Sequence, residues 1–201
     1  SEPTLIVEKA PISIVTPDDS KLYDGAPLIA TKGAELSGLV NDETATLIVI
    51  GSRTDVGTSA NAYQIDWSGS AKESNYFIDE ETIGTLEIAK RPVTVTAKGG
   101  EKQYDGKPLT AADTGYDIGG EGLVEGHEAD VALSGSQTAP GASPATVESV
   151  AVKDGDVDVA NNYDVATADG SLKVTNRDAK YEVTLKANSS TGNVYDGTEK
   201  S

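Results

Sequence analysis

The sequence predicts an all-β or mostly β chain made of tandem small modules. Three observations predict it: the same landmarks recur in a fixed order, short segments alternate apolar and polar with period two, and no stretch sustains a helical apolar stripe.

The landmarks come first, because a fixed period reveals an array before any fold is known. Tyr23-Asp24-Gly25, Tyr104-Asp105-Gly106 and Tyr195-Asp196-Gly197 are spaced by 81 and 91 residues. The first two are followed by Pro27-Leu28 and Pro108-Leu109. Gly38-Leu39-Val40 is matched 84 residues on by Gly122-Leu123-Val124, and the same offset aligns Gly51-Ser52-Arg53-Thr54 with Gly135-Ser136-Gln137-Thr138. Asn75-Tyr76 is answered by Asn162-Tyr163. The closing run Leu86-Glu87-Ile88 is similar to Leu5-Ile6-Val7 and to Leu172-Lys173-Val174. This register predicts a closing strand or linker of a preceding module over 1–9, a first module over 10–89, a second over 90–175, and the truncated start of a third over 176–201. Links as short as Ala89-Lys90-Arg91 predict a restricted angle between neighbours.

Within the modules, Val93-Thr94-Val95-Thr96-Ala97 and the run from Tyr181 to Ala187 alternate as half-buried strands do. Leu47 to Ile50, Tyr63 to Trp67, Leu86 to Ile88 and Val147 to Val152 are further short strands between Gly, Asn and Asp turns. One short helical turn is expected near Val124 to Ala129, with a counterpart near Val40 to Ala45.

Charge narrows the partners. With 16 Lys plus Arg against 33 Asp plus Glu, the net charge of −17 repels phosphate backbones, so nucleic acid is not an expected partner. The absence of cysteine removes disulfides, zinc thiolates and thiol nucleophiles together. No run of about 20 apolar residues is present, so no membrane insertion is expected within this segment. The lack of Met and of a leader leads to the expectation of a segment from a longer chain, with signal peptide and wall anchor outside it.

In each Tyr-Asp-Gly the ring can close one end of a small core while Asp-Gly supplies the turn. Asn75 and Asn162 are expected to tie turns to the backbone, with Tyr76 and Tyr163 packed inward. On Tyr-Asp-Gly, Gly-Leu-Val, Asn-Tyr and the closing Leu-x-Ile or Leu-x-Val strand, the chain resembles the MBG or YDG-type repeat modules of bacterial cell-surface adhesins, the filamentous-haemagglutinin-like and mucus-binding-type proteins. The resemblance implies beta-grasp-like modules in an elongated extracellular array, sometimes near a mucus- or matrix-binding head. Ig-like β-sandwich modules are the alternative architecture. No catalytic residue comes with the resemblance.

Enzyme chemistry is not expected from the residue inventory. His127 is the only histidine, and Glu43 holds its place in the first module, so it reads as a solvated loop residue. There is no phosphate-cradling loop and no Gly-x-Ser-x-Gly elbow. Asp154, Asp156 and Asp158 alternate as calcium ligands can, but Val159 stands where a calcium loop needs Gly, and a solvated acidic turn is the competing reading. Calcium is thus the one cofactor to consider. Lys9 or Lys90 with Asn75 or Asn162 have the residue types of an internal isopeptide crosslink, against ordinary roles as strand-end charge and turn residue. Trp67 and Phe77 occur only in the first module and are candidates for a ligand contact, against core packing.

Two functions follow. One is a spacer that projects a binding head from the bacterial surface, its partners being the neighbouring modules of the same chain. The other is a direct adhesin module that binds mucin, host glycan or matrix protein.

Overall fold

The computed structural model describes residues 6–178 and 184–186. Strand makes up 54% of the described residues, in several small mixed sheets with one short helix. The chain is mostly β. No helix among the described residues is long and apolar enough to cross a membrane.

The first repeat contributes β1 (Ala10–Val15), β2 (Asp19–Leu22), β3 (Glu35–Ser37), β4 (Thr46–Val49), β5 (Gly57–Ala60), β6 (Tyr63–Asp66), β7 (Tyr76–Thr82) and β8 (Thr85–Ala89). Its first and last segments lie side by side: β1 pairs with β7 and β2 with β8, both in parallel. Thr16 N–H donates to Thr82 O and Tyr23 N–H to Ala89 O, each at 2.9 Å, so the ladder continues past the bend between β1 and β2. β3 adds antiparallel to β1, β5 to β8, and β4 pairs with β6. Parallel partners cannot be joined by a tight hairpin, so the whole repeat serves as the crossover between them.

The second repeat follows the same plan with β9 (Arg91–Ala97), β10 (Gly100–Gln103), β11 (Leu109–Thr110), α1 (Ala111–Thr114), β12 (Tyr116–Gly120), β13 (His127–Ser134), β14 (Ser136–Gln137), β15 (Gly141–Asp154), β16 (Val157–Asp158), β17 (Tyr163–Ala168) and β18 (Gly170–Thr175). β9 pairs in parallel with β17 and β10 with β18. Leu28 bridges Arg53 in the first repeat and Leu109 pairs with Gln137 in the second, so these contacts fall at matching places in the repeat. All named ladders join strands within 10–89 or within 91–175.

Alternation explains which faces are buried. Val93, Val95 and Ala97 on β9 are at most 2% exposed, as are Leu86 and Ile88 on β8 and Leu172 and Val174 on β18. The largest apolar cluster nevertheless crosses the repeat boundary. It joins Tyr23, Leu28, Ala30, Leu86 and Ile88 to Val93, Val95, Val152 and Tyr163. Smaller clusters sit at either end, one around Ile12, Ala71 and Tyr76, the other around Leu172, Ala111 and Ala145.

One local expectation differs from what forms, and two local features have no forerunner in the sequence reading. The segments at Val40 and Val124 make no helix: Glu43 N–H and His127 N–H close hydrogen-bonded turns on Val40 O and Val124 O, and β13 starts at His127. The helix that does form is α1, nucleated by a capping box in which Thr110 and Asp113 exchange side-chain bonds with each other's backbone N–H. β15 runs unbroken through Ala145, whereas the first repeat divides the same path into β5 and β6 at Asn61. Asn61 is fully buried and turns its amide inward to Pro17 O and Ala30 O at 2.9 and 2.8 Å. The expected strand over 181–187 lies largely outside the described residues, and 184–186 carry no strand. Tyr195, Asp196 and Gly197 also lie outside them.

Candidate interaction site at the repeat junction

Each Tyr-Asp-Gly is a turn held by its own side chains. Gly25 and Gly106 adopt φ of 78° and 83°, a region that costs most residues strain and glycine none. Asp24 accepts from Ala26 N–H at 2.9 Å and from Lys21 Nζ at 2.6 Å; Asp105 accepts from Lys107 N–H and Lys102 Nζ, both at 2.9 Å. The lysine bonds, then the backbone bonds, hold both carboxyls below their ordinary range. The lysine three residues before each aspartate was present in both copies as a signal and is absent from the third, where Asn193 stands.

The two copies differ in what their tyrosines meet. Tyr23 is 4% exposed and lies against the second repeat, its ring edge-to-face with Tyr163 at 5.6 Å and 6.0 Å from His127. A Cβ on Gly25 would come within 3.1 Å of the Val124 side chain, so the turn sits directly on the second repeat. Arg91 fixes the approach: its Nε donates to Gly122 O at 2.8 Å and its Nη1 reaches Tyr23 O at 3.4 Å. Asn162, 6% exposed, accepts from Val56 N–H and donates to Asp55, both at 2.9 Å. Tyr104 is only half-buried.

The Asn-Tyr pairs build the receiving side. A 3-10 turn, Glu73–Asn75 or Ala160–Asn162, delivers Tyr76 or Tyr163 as the first residue of β7 or β17. Both rings are buried, at 3% and 2% exposure. Tyr163 Oη accepts from Val124 N–H at 3.1 Å and lies 2.6 Å from His127 Nδ1. Tyr76 Oη accepts from Val40 N–H at 3.2 Å and donates to Glu43 at 2.6 Å. The Glu43 bond raises the Tyr76 phenol, whereas burial raises Tyr163 and Tyr23. The side chain of His127, read from sequence as solvated, is 6% exposed, with Nε2 3.9 Å from Asp154.

The three aspartates read from the sequence as possible calcium ligands do not converge. Asp154, Asp156 and Asp158 are exposed, Asp158 caps Ala160 N–H, and no trio of His, Asp or Glu among the described residues is grouped to hold a metal ion. Lys9, Lys90 and Asn75 are exposed, while Asn162 is buried and spends its amide on Asp55 and Val56. Trp67 is half-buried and stacks on Tyr76, 5.8 Å apart and inclined by 22°. Phe77 beside it is 44% exposed. Asp55 has no counterpart in the second repeat, where Ala139 stands, and Arg91, which Ala10 replaces in the first copy and Arg177 matches in the third, reads in the sequence only as part of a short link. No known family model, curated protein or solved structure matches the chain.

Proposed function

We propose that this chain is an extracellular stalk or spacer segment of a bacterial cell-surface adhesin, a row of beta-grasp-like modules that projects a binding head from the cell. The observation that carries this reading is the shared core at the junction, where Tyr23, Leu86 and Ile88 of one repeat pack with Val93, Val152 and Tyr163 of the next. Motif residues common to both repeats go into turns and stacking, the use expected of a part that sets distance and direction. Small-angle scattering of the whole chain tests it. A rod with roughly 30–45 Å per module is expected from strands of six to ten residues plus turns. A compact, folded-back particle would overturn the reading.

A second reading, direct binding of mucin, host glycan or matrix protein, is favoured by one feature of the first repeat. Trp67, Tyr76, Phe77 and Ile78 border a groove of about 380 Å³, and Phe77 and Ile78 are 44% and 46% exposed. A stacked ring with an exposed apolar rim suits a sugar face or an apolar side chain. Phe77→Ala removes the rim without breaking the Trp67–Tyr76 stack. If this groove binds, mucin or glycan affinity of the whole chain falls about tenfold in that variant; binding equal to that of the parent chain discards the site.

A further inference from the structure

We infer that the face of the first repeat formed by Val40, Glu43, Asn75 and Tyr76 is a socket for the Tyr-Asp-Gly end of another repeat of this kind. The second repeat shows the socket filled. Val124, His127, Asn162 and Tyr163 stand at the matching positions, and on them sit Tyr23 and Gly25. The two faces share their hydrogen-bond plan: a phenol accepts from the N–H of Val40 or Val124 and pairs with the side chain at 43 or 127. Where Tyr23 fills the second face, the first has a groove of about 370 Å³ lined by these residues together with Val7 and Lys9.

A second observation points the same way. Val7 aligns with Ile88 and is 84% exposed, whereas Ile88 is 1% exposed within the junction core. The cluster around Ile12 and Tyr76 is therefore the receiving half of such a core, without the half that Tyr23, Leu28, Leu86 and Ile88 supply at the junction. The occupant must bring a phenol ring over Val40 and Glu43 beside Tyr76, whose own ring Trp67 already covers, a glycine turn to clear Val40, and apolar strand residues to cover Val7. A carboxylate for Asn75, as Asp55 gives Asn162, completes the match. The distal end of a second copy carries the ring and turn in Tyr104 and Gly106, the apolar strand in Leu172 and Val174, and Ala139 in place of the carboxylate.

The chain has no cysteine, so paired cysteines report the contact cleanly. G25C/V124C is the internal control, since those positions already touch and should close a disulfide within one chain. Under mild oxidation the full chain carrying V40C/G106C is expected to form head-to-tail multimers beyond dimer, rising with concentration. A139D in that background supplies the missing partner of Asn75 and should raise the yield about tenfold at fixed time; Tyr104→Ala should abolish the multimers. A yield no higher than that of V40C/S149C, whose second cysteine lies on an exposed part of β15, overturns the socket, as does a yield unmoved by both A139D and Tyr104→Ala. The socket serves an adhesive repeat as well as a stalk, so scattering and crosslinking fail independently.

Discussion

Tyr23→Ala is expected to cost about 3–5 kcal/mol, the range for truncating a large buried ring, while Tyr104→Ala costs far less. The tripeptide is the same in both places; the surroundings differ. Tyr23 is 4% exposed and touches Tyr163 edge-to-face, an arrangement that contributes about 0.5–1.5 kcal/mol beyond burial. Tyr104 is half-buried and makes no such ring pair among the described residues. Because Tyr23 belongs to a core supplied by both repeats, its loss should also uncouple them. Trp67 is the only tryptophan and reports the first repeat, whereas far-ultraviolet circular dichroism reports both. In urea the two signals should coincide for the parent chain and separate for Tyr23→Ala. Equal losses for the two tyrosines, or coincident signals in both proteins, would show that the junction carries no special share of the stability.

Much of the strand content was legible because alternation is a local property. Val93, Val95 and Ala97 fall on one face of β9 as their spacing requires. Tyr-Asp-Gly was legible as a turn for the same reason: glycine and aspartate act within four residues of chain. What the turn packs against was not. The sequence suggests that Tyr23 closes the end of a core, and nothing local tells whether that core belongs to its own repeat or to the next. The contacts that decide it, Arg91 to Tyr23 and Asn162 to Asp55, join residues 68 and 107 apart. Asp55 has no acidic counterpart in the second repeat, where Ala139 stands, so what the repeats share does not point to it. His127 was misread on similar grounds. Glu43 at its matching position made it look incidental, yet both side chains perform one task, partnering the buried phenol.

Gly120→Ala should cost about 3 kcal/mol, combining left-handed strain of about 1–2 kcal/mol with an overlap penalty of about 1–3 kcal/mol, and Gly122→Ala only the strain. The difference tests which glycine of the second repeat corresponds to Gly38. Sequence register pairs Gly38-Leu39-Val40 with Gly122-Leu123-Val124, and for the apolar residues that holds, since Leu39 and Leu123 pack on matching cores. The strand ladder puts the glycine elsewhere. Ser13 opposes Ser37 and Thr94 opposes Gly119, so the next residue is Gly38, just past the end of β3, in the first repeat and Gly120, the last residue of β12 and opposite Val93, in the second. A Cβ on Gly38 would lie 2.6 Å from Pro11 O, and one on Gly120 would lie 2.8 Å from Pro92 O; a Cβ on Gly122 would meet nothing within 4 Å. All three have positive φ, so strain alone cannot separate them. Two residues added after Gly120 carry the chain to Leu123, and Arg91 holds that extra length through Glu121 O and Gly122 O. Chemical denaturation of the three alanine variants decides the matter: Gly38→Ala and Gly120→Ala should group together at the higher cost. If Gly122→Ala is the more damaging of the second-repeat pair, the sequence register is right and the ladder misplaces the glycine.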